Sequence, residues 1–342
     1  MKKIRKNGVW SFIAMLLLFL CAGCGKTETD EVPMLIPSDN KENALTLGTY
    51  TAQASGVDAV FSFSSSAYCV PDANHTDQND IQAKAALLFN ITDQKVVYIQ
   101  NSFEKVYPAS TTKLLTALTL YRILEEEGRS LDEEVTVQET NGGITAYGAK
   151  LCGLKRGEIV SLDGLLNALL VYSANDAGVS IAQHLCGSEE AFVERMNKVA
   201  YEIGATHTHF SNSHGLHQIE HYTTAYDMYL IFRECLSYSG FKEIMKQKSY
   251  ILSYTDTEGN ERESELESTI QYLVGNYESP EGVIVAGGKT GSTPSAGDCL
   301  ILLSSYNDTE YISAVFGANS KDQLYGEMTK LLFMELSDNG QE

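Results

Sequence analysis

The chain has 342 residues, 43% of them hydrophobic, enough for one large domain or two small ones with a real core. Its 45 acidic residues outnumber 25 basic ones, giving a formal net charge of −20. Nucleic acid is thereby excluded as an expected partner, because phosphate binding needs a basic surface.

Residues 1–23 read as a signal peptide. Lys2, Lys3, Arg5 and Lys6 form a positive start, and Val9 to Ala22 is apolar but short for a membrane span. The run ends in "LCAGCGK", which resembles a bacterial lipobox with Cys24 as the lipidated residue, although Cys21 stands where leucine is usual. The expected location is the outer face of the bacterial cytoplasmic membrane, with the membrane contacted through a lipid on Cys24. Residues 24–80 are rich in Thr, Ser, Asp, Asn and Gln and read as a largely flexible spacer, with "AVFSFSSSAY" as a patch that could form a strand. After Cys24 come Cys69, Cys152, Cys186, Cys235 and Cys299, without CxxC pairs or metal-ligand spacing. In a chain this large they read as small buried hydrophobes, and one bridge is possible, the sequence not saying which.

The folded domain is expected over 81–342. "AKAALLFN" and "KVVYIQN" predict a hairpin of two buried strands. A helix is expected from Ser110 to about Glu127, with Leu114, Leu115, Leu118, Tyr121 and Leu124 at helical spacing and Gly128 as its stop. Ser110 and Lys113 share one face of that helix. A serine hydroxyl needs a base, and a lysine becomes one when burial disfavours its ammonium form. Three further helices are expected over Leu162 to Tyr172, Asp176 to Leu185 and Glu189 to Ile203. Between the first two lies "VYSANDAG", where Ser173 and Asn175 in a turn can relay a proton and hold a carbonyl.

Five of the seven histidines fall between His207 and His221, and "HQIEH" (His217 to His221) matches a zinc-peptidase pattern. That chemistry needs both histidines on one helix. Here Gly215 precedes them and a helix cap follows at Thr223 or Thr224, so a loop with no metal is expected. After a helix from Thr224 to Leu236, the strands "GVIVAGGKTGS", "DCLILLSS" and "YISAVFGA" follow. Lys289, Thr290 and Gly291, at the end of the first, can bind a carboxylate and let a substrate backbone lie close. Asp322 to Leu336 is a closing amphipathic helix. Strands at both ends with helices between predict α+β: one antiparallel sheet flanked by helices, with an inserted helical lobe.

Each motif alone is weak. S-x-x-K recurs at Ser102/Lys105 and Ser239/Lys242, and "SDN" recurs at Ser38 to Asn40 and Ser337 to Asn339. Order and setting decide: S-x-x-K, S-x-N and K-T-G fall at 110, 173 and 289 on a helix start, an inter-helix turn and a strand. From Ile81 to about Leu332 the sequence resembles the D-alanyl-D-alanine carboxypeptidases, the low-molecular-mass penicillin-binding proteins. "YPASTTKLLTAL", "LLVYSANDAGVSIAQHLCGSEEAFVERMN", "GATHTHFSNSHGL" and "GGKTGSTPSAGDCL" carry the likeness.

The resemblance implies a β-lactamase/transpeptidase-like fold, Ser110 as the acylated nucleophile and Lys113 as its base. Ser173 would relay a proton to the leaving amine, and Asn175 would position the substrate carbonyl and Lys113. Lys289 and Thr290, with Gly291 and Ser292 beside them, would bind the terminal carboxylate, and the N–H groups of Ser110 and Ser292 would form the oxyanion hole. The implied partners are peptidoglycan stem peptides ending in D-Ala-D-Ala and β-lactams as covalent inhibitors; no cofactor is implied. The family's N-x-N-x-L stretch is replaced by "ESTIQYLVGNY". Two alternatives stand beside this reading. A β-lactamase of this type typically carries E-x-x-L-N between the last two motifs, and none occurs here. A non-hydrolysing β-lactam or muropeptide receptor would need membrane-spanning and cytoplasmic parts.

Overall fold

The computed structural model describes residues 68–71 and 80–338. The signal peptide, Cys24 and most of the 24–80 spacer, including Ser38 to Asn40, lie outside the described residues. Strands β1 (Ala85–Asn90) and β2 (Lys95–Gln100) form the expected hairpin. A 3-10 turn, Ala109–Thr112, leads into helix α1 (Lys113–Glu127), which Gly128 ends in the left-handed conformation at φ 63°. After β3 (Glu134–Thr136) and β4 (Ile159–Ser161) come α2 (Leu162–Asn167) and a π turn, Ala168–Tyr172. Helices α3 (Asn175–Cys186), α4 (Glu189–Glu202), α5 (Ala225–Cys235) and α6 (Ser239–Met245) complete the lobe. Ser161, Ser188 and Thr224 cap α2, α4 and α5 by accepting from backbone N–H groups at 3.0–3.1 Å. The chain continues through β5 (Ser249–Thr255), β6 (Glu261–Glu267), the short α7 (Gln271–Val274), β7 (Ile284–Thr293), β8 (Gly297–Tyr306), β9 (Thr309–Ala318) and α8 (Lys321–Asp338).

Among the described residues the main sheet is antiparallel in the order β2-β1-β9-β8-β7, which leaves β7 at an edge. Alternation along the strands divides its two faces. Leu87, Phe89, Ile301, Leu303, Ile312 and Phe316 pack into the core built around α1 and α5. Ala86, Leu88, Leu300, Leu302 and Val315 meet Leu324, Met328 and Leu331 of α8. Helix α1 runs through the core, with every residue from Lys113 to Leu124 buried except Arg122, and its last turn reaches solvent.

Three expectations need correction. A second antiparallel sheet, β3-β4-β5-β6, stands beside the first. Its strands evade pattern reading because β3 and β4 have three residues each, while β5 and β6 bury a single side chain apiece, Leu252 and Leu266. The helix expected over Leu162 to Tyr172 widens into a π turn at its end. Lys289, Thr290 and Gly291 lie inside a ten-residue strand, not at its end. All five cysteines among the described residues are free, and Cys69, Cys235 and Cys299 are buried. Residues 68–71, read as spacer, touch the domain: the Cys69 N–H donates to Tyr229 Oη at 2.8 Å.

Candidate active site

Ser110 sits in the 3-10 turn before α1, after Pro108 and an Ala109 held at φ 47°. That conformation is strained for a residue with a Cβ, and the surroundings impose it. Thr111 Oγ1 donates to the Pro108 carbonyl and Thr112 Oγ1 to that of Ala109, both at 2.7 Å. Two glycines close on the turn. A Cβ on Gly215, itself at φ 92°, would stand 2.0 Å from the Ala109 oxygen, and one on Gly291 would stand 2.8 Å from the Pro108 oxygen. No larger residue fits either place.

Lys113 begins α1 fully buried, one turn beyond Ser110. Its Nζ lies 2.9 Å from Ser110 Oγ, 2.6 Å from Asn175 Oδ1 and 2.6 Å from the His214 carbonyl oxygen. Burial holds its pKa well below the usual lysine value, and the charge of Lys289 pushes the same way, against Asp176. Asn175 arrives as the first residue of α3, and Asp176 anchors that helix by accepting from the N–H groups of Cys152 and Gly153 at 2.9 Å. The π turn delivers Ser173 at φ 71°, turned to accept a hydrogen bond from Lys289 Nζ at 2.9 Å. Lys289 is fully buried on β7, and burial, then Lys150, lowers its pKa to about 7. Thr290 donates from Oγ1 to Thr269 Oγ1 at 2.7 Å.

These side chains border one cavity of about 400 Å³, lined by Ser110, Ser173, Asn175, Thr290, Gly291 and Ser292 among others. Lys113 and Lys289 stand behind that surface, joined to it through Ser110 and Ser173. The structure therefore brings together every residue of the three motifs.

The competing motifs disperse. Lys105 stacks over Tyr222, and no helix carries it with Ser102. Lys242 on α6 lies 3.9 Å from Glu310. "HQIEH" is a loop: the His217 ring meets Tyr107 edge-on, and His221 is buried. His221 Nδ1 accepts from the Ser211 N–H at 3.0 Å, so its Nε2–H faces Thr112 Oγ1 at 2.7 Å. Burial lowers its pKa to about 3, so it is neutral and braces the Ser110 turn through Thr112.

Sequence reasoning missed the His214 carbonyl, the Thr269 hydroxyl and the brace from His221. Thr269 and Gln271 come from "ESTIQYLVGNY", so that segment lines the cleft despite lacking the N-x-N-x-L pattern expected there.

Comparison with known proteins gives the chain a family. The model of the peptidase S11 family, described as D-alanyl-D-alanine carboxypeptidase, matches residues 72–320. The chain belongs to this family. It is a serine-type D-alanyl-D-alanine carboxypeptidase, a hydrolase that forms an acyl-enzyme and is acylated by β-lactams. It is 31% identical over 274 residues to the D-alanyl-D-alanine carboxypeptidase DacF of Bacillus subtilis, covering 80% of this chain and 67% of that one. The likeness to DacC of Escherichia coli is 29% over 282 residues, covering 82% and 67%. The Streptomyces K15 DD-transpeptidase superposes with a TM-score of 0.69 at 24% identity, over 77% of this chain and all of that one. DacD from Francisella tularensis gives 0.66 at 24%, over 78% and 74%. The family thus has the antiparallel fold found here.

Proposed function

We propose that Ser110 is the nucleophile, Lys113 its base, and a peptidoglycan stem peptide ending in D-Ala-D-Ala the substrate. The partners of Lys113 carry this reading. A neutral amine has two hydrogens and one lone pair. Asn175 Oδ1 and the His214 carbonyl can only accept, and they take both hydrogens. The lone pair then faces Ser110 Oγ at 2.9 Å, where it can receive the hydroxyl proton.

The substrate enters along the free edge of β7 as an added antiparallel strand. Lys289 and Thr290 bind its terminal carboxylate. Ser110 Oγ attacks the carbonyl between the two D-alanines while its proton passes to Lys113, and the N–H groups of Ser110 and Ser292 receive the oxyanion. The C–N bond breaks as Ser173 gives its proton to the leaving amine, and Lys113 restores the Ser173 proton. D-Alanine departs. Water then attacks the ester with Lys113 again as base, freeing Ser110 and the shortened peptide.

The test is D-alanine release from diacetyl-Lys-D-Ala-D-Ala by the purified protein beside Ser110→Ala. Release by the first and none by the second is expected; equal release by both would sink the serine mechanism.

We further propose export and lipidation at Cys24, supported by the charged start, the apolar run and the "LCAGCGK" junction. Fatty-acid labelling lost in Cys24→Ser is the expected result, and equal labelling of both forms refutes it.

A further inference from the structure

The cleft holds more positive charge than the reaction above uses. Lys150, in the loop before β4, and Lys321, at the start of α8, both line it, and both are exposed. Among the described residues neither makes an ion pair with a carboxylate. Asp298 lines the same cavity, and Glu267 favours the charged form of Lys150 from a longer distance.

Lys150 is held in place. Its carbonyl accepts the Asn175 N–H at 2.8 Å, and its ammonium lies 4.0 Å from the ring centroid of Tyr172, the neighbour of Ser173. Partial burial lowers its pKa, and so does the charge of Lys321; its own charge in turn lowers that of Lys289. Lys150 is therefore coupled by charge to both Lys321 and Lys289. The chain as a whole carries a net charge of −20, so this local excess is ready for an anion to enter. The substrate anion that reaches Lys289 is the terminal carboxylate.

We infer that Lys150 is a specificity-determining residue, which adds charge attraction for the terminal carboxylate and so selects peptides with a free acid end over their amides. This rests on the reading that the cleft cleaves D-Ala-D-Ala peptides. Because Lys150 is only partly buried, its charge is screened and its share is modest, about fivefold in KM.

The test compares the full protein with Lys150→Met, Lys150→Arg and Lys150→Glu on diacetyl-Lys-D-Ala-D-Ala and its C-terminal amide. Lys150→Met should raise KM for the acid about fivefold, with kcat within about twofold and the amide unaffected. Lys150→Arg should restore KM, and Lys150→Glu should raise it further. The fall of kcat/KM with added salt should flatten in Lys150→Met. Unchanged KM and salt slope in Lys150→Met, with active wild type, overturn the inference and leave the cleavage reading intact. A drop in kcat shared by all three variants marks a packing role through Tyr172 and overturns it too. The rate of Ser110 acylation by benzylpenicillin, itself a carboxylate, is a separate arm. Should wild type release no D-alanine, the cleavage reading fails. The salt slope of acylation then decides for Lys150: flattening in Lys150→Met upholds it, and an identical slope overturns it.

Discussion

The two faces of the main sheet each bury ionisable groups, in opposite ways. On the cleft side Lys113 has three partners and Lys289 two, all of them placed around Ser110 and Ser173. On the side covered by α8, Glu335 is fully buried with one partner, the Ser304 hydroxyl at 2.6 Å, and its Oε2 has none among the described residues. Burial raises the Glu335 pKa to about 8, so below that pH it is a neutral carboxylic acid. The contrast separates two kinds of buried charge. On the proposed mechanism the partners of Lys113 use up both hydrogens of the neutral amine and aim its lone pair at Ser110, so that group is a chemical tool. Where a single hydroxyl suffices, the group is a stability cost without a role in the cleft.

Lys113→Met breaks the tool outright. It should lower kcat/KM for D-alanine release by at least about a thousandfold while the protein still folds, checked by steady-state kinetics beside a thermal melt. A loss under tenfold would show that Lys113 is not the base. Lys289→Met tests both sides of the contrast. Losing a charged donor to the carboxylate should cost about 10- to 100-fold in kcat/KM. Stability should move the other way. The folded-state pKa of about 7 lies below the ordinary 10.5, so the buried ammonium destabilises the native state most below pH 7, and this fades as pH rises toward 10.5. The variant should therefore melt several degrees higher at pH 6, with the gain vanishing near pH 10. Activity of the unaltered protein should be bell-shaped in pH: the rising limb follows loss of the Lys113 proton, and the falling limb, above about pH 7, follows loss of the Lys289 charge.

Glu335→Gln should have the smallest effect. The native state favours the neutral acid and the unfolded chain ionises near pH 4.5, so wild type loses stability as pH rises from 4.5 to about 8. The amide cannot ionise. Its advantage should grow over that window to a few kcal/mol, about 5 at most, in a urea titration, with D-alanine release unchanged. A flat difference across pH would mean that Glu335 keeps its charge when buried.

The motifs were legible because their chemistry is local. Three residues place Ser110 and Lys113 on one face, and glycine and proline punctuate the elements that carry them. The parts that stayed hidden have no side-chain signature. The acceptor from residue 214 is a backbone oxygen, which any residue would supply. The second sheet joins strands from 134 to 267 with little apolar alternation to reveal it. The π turn at Ala168–Tyr172 shifts hydrogen bonds by one residue and leaves the periodicity of its apolar run almost unchanged.

The clamp of Gly215 and Gly291 on the nucleophile turn has an evolutionary consequence. On the proposed mechanism a β-lactam and the natural peptide present their carbonyls to Ser110, and a Cβ on Gly215 or Gly291 would collide with the turn that carries it. Drift toward drug tolerance cannot begin by moving Ser110 without also losing the substrate. The open routes run through the rim, at Leu216, Gln271, Lys150 and Lys321, which line the same cavity away from that clamp of glycines.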